Sequence, residues 1–230
     1  MKDQYVGDVN DYLKYGFLRT LQSARAGPLI VCWMLTPSDG GSDGGKIGYL
    51  RQPERYRYAD PELFDSLARL VQTEQRSVAA VERADLLPRA SFASSVISDR
   101  AQERRSFFEQ LECEAPREAL VFFDPDNGLE VRSKPRGRRD SNKYVFWDEV
   151  EATGRPGRSI VVYQHYSRTP RDEMVSNLLS NFADRLPDHR VFALRAPHVV
   201  YLVATRADDA KALADATAAF AQRWPGGLRM

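Results

Sequence analysis

The chain is poor in cysteine and histidine, carries no excess of either charge, and has no long apolar run. Its two cysteines, Cys32 and Cys113, stand far apart in 230 residues. That spacing excludes a disulfide framework and a cysteine metal pair, and both are expected to be reduced core thiols. The three histidines, His165, His189 and His198, match no metal-ligand spacing. Lys and Arg total 33 against 32 acids, a formal charge of +1. There is no global pull toward nucleic acid or membrane, so any polyanion site must be a local patch. No apolar stretch approaches the ~20 residues that span a bilayer, and "MKDQYVGDVNDY" lacks the basic start and apolar core of a signal peptide. A cytoplasmic protein without membrane contact is expected.

What is present suits one α/β domain over residues 1–230. Hydrophobic residues make up 43%, enough for a sizeable core. A helical extension over 1–26 is expected, with Leu13, Phe17, Leu18 and Leu21 on one face and Asp8 or Asn10 as its cap. "GPLIVCWML" (27–35) reads as a buried parallel strand, followed by the Gly-rich loop "TPSDGGSDGGKIGYL". "DPELFDSLARLVQ" (60–72) is a helix opened by an acid and a proline. Strands are expected at 77–81, ending at Glu82, and within "SFASSVISDR", ending near Asp99. A helix, "AQERRSFFEQLE", leads to the strand "ALVFF" and the turn "DPDNG". Beyond a basic loop (132–143) come "KYVFWDEV", the strand "SIVVYQ" (159–164) and a helix, "RDEMVSNLLSNFADRL". Two strands joined only by "APH", an antiparallel hairpin, and a terminal helix close the chain. Strands alternating with helices predict a doubly wound, mostly parallel sheet.

Open parallel sheets bind ligands beyond the carboxyl ends of their strands. Successive strand ends here present Asp39 and Asp43, Glu82, Asp99, and the group Asp124, Pro125, Asp126 and Asn127. A further strand end carries Tyr163, Gln164, His165, Tyr166 and Arg168. A turn is a sufficient use for Asp-Pro and Asn-Gly, but it needs neither the apolar approach nor Glu130 after it. The loop 132–143 holds six basic residues, Arg132, Lys134, Arg136, Arg138, Arg139 and Lys143, against Asp140. Beside a reactive centre such a loop suits contact with RNA or DNA phosphates.

This order of elements resembles the class I S-adenosylmethionine (SAM)-dependent methyltransferases, a Rossmann-like fold with a closing antiparallel hairpin. Within them it is most similar to the J-type adenine methyltransferases of large-subunit ribosomal RNA. Gly7, Asp11, Leu13 and Lys14 of "GDVNDYLK" reproduce a Gly-x-x-x-Asp-x-Leu-Lys pattern of that family, "FFDPDNG" aligns with its Asp-Pro-Pro-Tyr strand end, and "VVYQHYSR" with its aromatic segment closed by arginine. The resemblance implies a SAM cofactor held by Asp39, Gly40, Gly41, Glu82 and Asp99. It gives Asp124, assisted by Asn127, the substrate amine, and Lys14, Arg136 and Arg138 the substrate phosphates. Asp126 and Asn127 replace the family's second proline and aromatic, so Tyr163, Tyr166 or Trp147 would have to stack on a flipped base.

That same replacement supports another reading, a Mg²⁺-dependent nuclease or phosphoesterase. Asp124, Asp126 and Glu130 would hold the metal, with His165 as general base and Arg168 as phosphate clamp. A binding module without catalysis is the third.

Overall fold

A computed structural model describes residues 1–37 and 44–230. The expected ligands Asp39, Gly40 and Gly41, together with Asp43, lie outside the described residues. The first helix, α1 (Val9–Ser23), is capped by Asp8, whose carboxylate accepts the Asn10 and Asp11 N–H groups at 2.7 and 3.0 Å. Then follow β1 (Leu29–Cys32), a single turn α2 (Pro53–Tyr56), and α3 (Pro61–Gln72), which is capped by Asp60 with Pro61 in its first turn.

The expected strand at 77–81 is instead the helix α4 (Val78–Arg83). Ser77 caps it by accepting the Ala80 N–H at 3.2 Å, and Asp3 takes the Val78 N–H at 2.8 Å. With two first-turn donors satisfied, a helix is favoured over a strand that would need a sheet neighbour. Glu82 therefore does not end a strand.

β2 (Ala90–Ala93) stops well short of Asp99. Beyond Ala93 the chain pairs with the continuation of β1 only through the single Leu35–Val96 bridge among the described residues, so Asp99 does not end a strand. α5 (Ala101–Glu114), β3 (Leu120–Phe123), β6 (Ser159–His165), α7 (Arg171–Arg185), β7 (His189–Arg195), β8 (Val199–Arg206) and α8 (Ala207–Arg223) follow the sequence expectation, and α6 (Trp147–Gly154) starts within "KYVFWDEV". Two short strands, β4 (Gly128–Leu129) and β5 (Tyr144–Val145), pair in parallel and pinch together the ends of the basic loop.

The main sheet has six strands in the order β2-β1-β3-β6-β8-β7. Only β8 runs against the others, paired with β6 on one side and β7 on the other. Alternation along each strand divides the core in two. Leu29, Val31, Leu120, Phe122, Val161, Tyr201 and Val203 face α1, α3, α4 and α8. Ile30, Cys32, Val121, Phe123, Ile160, Val162 and Leu202 face α5, α6 and α7. Cys32 is buried as expected, but Cys113 is exposed, because it lies on the outward side of α5. Among the described residues no helix is long and apolar enough to cross a membrane.

Candidate active site at the carboxyl edge of the sheet

From β1 the chain crosses to β2 on one side and later returns to β3 on the other, so the strand order reverses between β1 and β3. Crevices at such a reversal are the usual ligand sites of open α/β sheets. A cavity of about 320 Å³ opens there, walled by the start of α1, the turn after β3 and the end of β6. Its size falls at the lower end of the ~300–1,000 Å³ usual for small-molecule pockets.

Asp124 is the first residue beyond β3, held there by its backbone N–H donating to the Cys32 carbonyl at 3.0 Å. Its carboxylate lies 2.8 Å from the Lys14 ammonium, which also lies 2.9 Å from Asp11 and 4.8 Å above the Tyr163 ring. Tyr15 donates its hydroxyl to the other Asp11 oxygen at 3.1 Å. All of these side chains are buried. Burial pushes the Asp11 carboxyl up to about 7; Asp8 and Asp124 push it the same way, and Lys14 opposes. Burial by itself would lower Lys14, but the two carboxylates outweigh it and hold the ammonium above its ordinary range. Lys14 is thus the counter-ion of Asp124, with its charge committed inside the fold rather than offered to a substrate phosphate.

Asp126 is engaged differently. The Met1 amino group lies 2.8 Å from it, and the Thr36 hydroxyl donates to it at 2.5 Å. Burial would raise this carboxyl, yet the neighbouring amino group and the two hydrogen bonds keep it below the usual carboxylate range. The same amino group donates to the Met34 and Asp124 carbonyls at 3.2 and 3.0 Å. These contacts join the ends of β1 and β3 across the reversal point.

His165 ends β6 at the cavity mouth, its ring edge-on to Tyr163 at 5.2 Å. Its imidazole has no hydrogen-bond partner among the described residues. The protein packed around it pushes its pKa below the ordinary value, with Lys14 acting the same way and Asp124 opposing. It is therefore neutral at physiological pH and able to accept a proton. Asn127 also lines the cavity, its backbone fixed by the Lys143 carbonyl at 2.9 Å.

The other sequence candidates lie elsewhere. Glu82 accepts from Trp33 Nε1 at 2.8 Å and Ser94 Oγ at 2.6 Å, both through Oε1, beside the end of β1. Asp99 accepts from Asp140 N, Ser141 Oγ and Asn142 N at 3.0, 2.9 and 2.7 Å, stapling the basic loop to the body. Glu130 accepts the Trp147 N–H at 2.8 Å and so caps α6. It does not join Asp124 and Asp126, and among the described residues no group of three His, Cys, Asp or Glu is placed to hold a metal.

Within the basic loop, Lys134 and Lys143 pair with Asp140 at 3.3 and 3.1 Å. Arg136 pairs with Asp148 and lies 4.5 Å over the Phe146 ring. Arg132, Arg138 and Arg139 are exposed without ion-pair partners among the described residues, as is Arg168 beyond β6. None of the loop's basic residues lines the cavity.

Asp11 and Gln164 belong with the site, although the sequence marked Asp11 only within the Gly-x-x-x-Asp-x-Leu-Lys pattern and Gln164 only by its place at a strand end, with no role for either. For Asp11 the available signal is its place three residues before Lys14 on the face of α1 that the apolar residues mark as buried. No known family model matches the chain, and no curated protein matches it. The architecture stands on the strands themselves, a Rossmann-like α/β fold with a mixed six-stranded sheet.

Proposed function

We propose that the protein is a group-transfer enzyme of the methyltransferase kind, acting on an amine or hydroxyl of a nucleotide-containing substrate. The observation that carries this reading is the meeting of a neutral, unpartnered His165 and a Lys14-neutralised Asp124 in one cavity at the strand-order reversal. Asp124 is placed to accept a hydrogen bond from the acceptor group and orient it, with Lys14 as its ion-pair partner at 2.8 Å. His165 takes the proton that the acceptor loses. Tyr163 lines the cavity beside Asp124 and His165, with Lys14 over its ring. Holding an acceptor in reacting geometry supplies a large share of any such acceleration.

SAM, when bound, would supply an electrophilic methyl group. The residues present fit it in part. Glu82 Oε2 makes no hydrogen bond among the described residues and is free for a ribose hydroxyl beside β1. Asp99 is committed to the loop and leaves adenine contacts to other groups. Arg132, Arg138, Arg139 and Arg168, without ion-pair partners among the described residues, are placed to meet RNA or DNA phosphates.

Calorimetry with SAM tests the reading. The expected result is binding that weakens at least tenfold in Glu82→Ala. Absence of SAM binding, together with Mg²⁺-dependent cleavage of RNA or DNA that is lost in Asp126→Ala, would replace it with the phosphodiesterase reading.

A further inference from the structure

Gln164 sits between Tyr163 and His165 on β6, and alternation sends its side chain to the opposite face of the sheet. It does not line the cavity, and only 7% of its surface is exposed. Its carboxamide nevertheless touches both walls of the site. Oε1 accepts the Leu129 N–H at 2.7 Å, while Nε2 donates to the His165 carbonyl at 2.7 Å and to the Asn127 carbonyl at 3.4 Å. Gly128 completes the arrangement. Its φ of +112° favours glycine, and a Cβ there would overlap the same carboxamide.

We infer that Gln164 is a positioning residue of the cavity, clasping the turn of residues 124–128 to β6 and so fixing how Asn127 and His165 face each other. A leucine of similar size would fill the space but leave one buried N–H and two carbonyls without this partner. Glycine at 128 is then required twice, for the backbone conformation and for the approach of the clasp. The inference rests on the cavity being the reaction site, and its test is independent of any cofactor.

The readout is the titration of the His165 ring protons by NMR. The groups that face this ring are Asp124, Lys14, Asp126, the Met1 amino group and the Tyr163 ring. In Gln164→Leu the turn that carries Asp124 and Asp126 is no longer clasped to β6, so the charges facing the ring shift and the His165 midpoint is expected to move from its wild-type value toward the free-imidazole ~6.5. Thr217→Val removes a buried hydroxyl bond inside α8, and there the His165 midpoint should stay in place despite a loss of melting temperature. Where Gln164→Leu does not fold, Gly128→Ala displaces the clasp without deleting it and carries the same readout. A thermal-denaturation cycle adds a second test, in which Gly128→Ala should cost less in a Gln164→Ala background. An unmoved His165 midpoint, an equal shift in Thr217→Val, or additive losses in the cycle would overturn the inference. Failure of wild-type protein to bind SAM would sink the transfer reading and leave these results to stand or fall alone.

Discussion

The Asp11 carboxyl is costly to bury, and its neighbours only partly offset that cost. Its folded value, about 7, lies above the ordinary 3.8. A raised folded value means that its contribution to stability is fully present below pH ~4. That contribution is then lost as the pH rises through 7. Between those limits one proton contributes a slope of up to ~1.4 kcal/mol per pH unit. Asp11→Asn cannot titrate and lacks this slope. From pH 5 to pH 8 the melting temperature of the wild type should therefore fall relative to that of Asp11→Asn. A constant difference across that range would show that the carboxyl does not change state there.

Helix α1 reaches its neighbours through a gap rather than a side chain. At Gly16 a Cβ would overlap the indole ring of Trp224, at the end of α8. Alanine favours a helix interior by up to ~1 kcal/mol over glycine, whereas forcing a carbon into a packed ring costs ~1–3 kcal/mol. The clash is with a rigid ring, so it should win. Gly16→Ala is expected to lose ~1–2 kcal/mol in urea denaturation, where an exposed helical glycine would gain. The elements differ in how openly the sequence declares them. β3 is an unbroken apolar run and could only be buried. α1 repeats its apolar residues at helical spacing after an Asp cap. Residues 77–81 are too short for their period to separate strand from helix. Their state is settled by Asp3, which is distant in sequence and bonds Val78.

The candidate site divides along the same line at the scale of the whole molecule. Asp124 and His165 are legible because any parallel sheet presents its strand ends on one edge. The partnership of Lys14 with Asp124 spans 110 positions and exists only once α1 docks beside β3. Gln164 is hidden for another reason: its role depends on which face of β6 it takes and on a glycine in a different strand. The basic loop looked like a free clamp, but half of its cations are held by Asp140 and Asp148.

The strand order also bears on how the chain is made. β8 is the last strand to leave the ribosome, yet it lies inside the sheet between β6 and β7. Until about residue 206 is synthesised, β6 keeps an open, apolar edge with unpaired backbone groups, the kind that captures other chains. A chain stopped after residue 197 should therefore collect in the insoluble fraction, while one lacking only residues 225–230 should remain in solution. Equal solubility of the two, measured after centrifugation of expressing cells, would mean that something other than β8 shields β6 during synthesis.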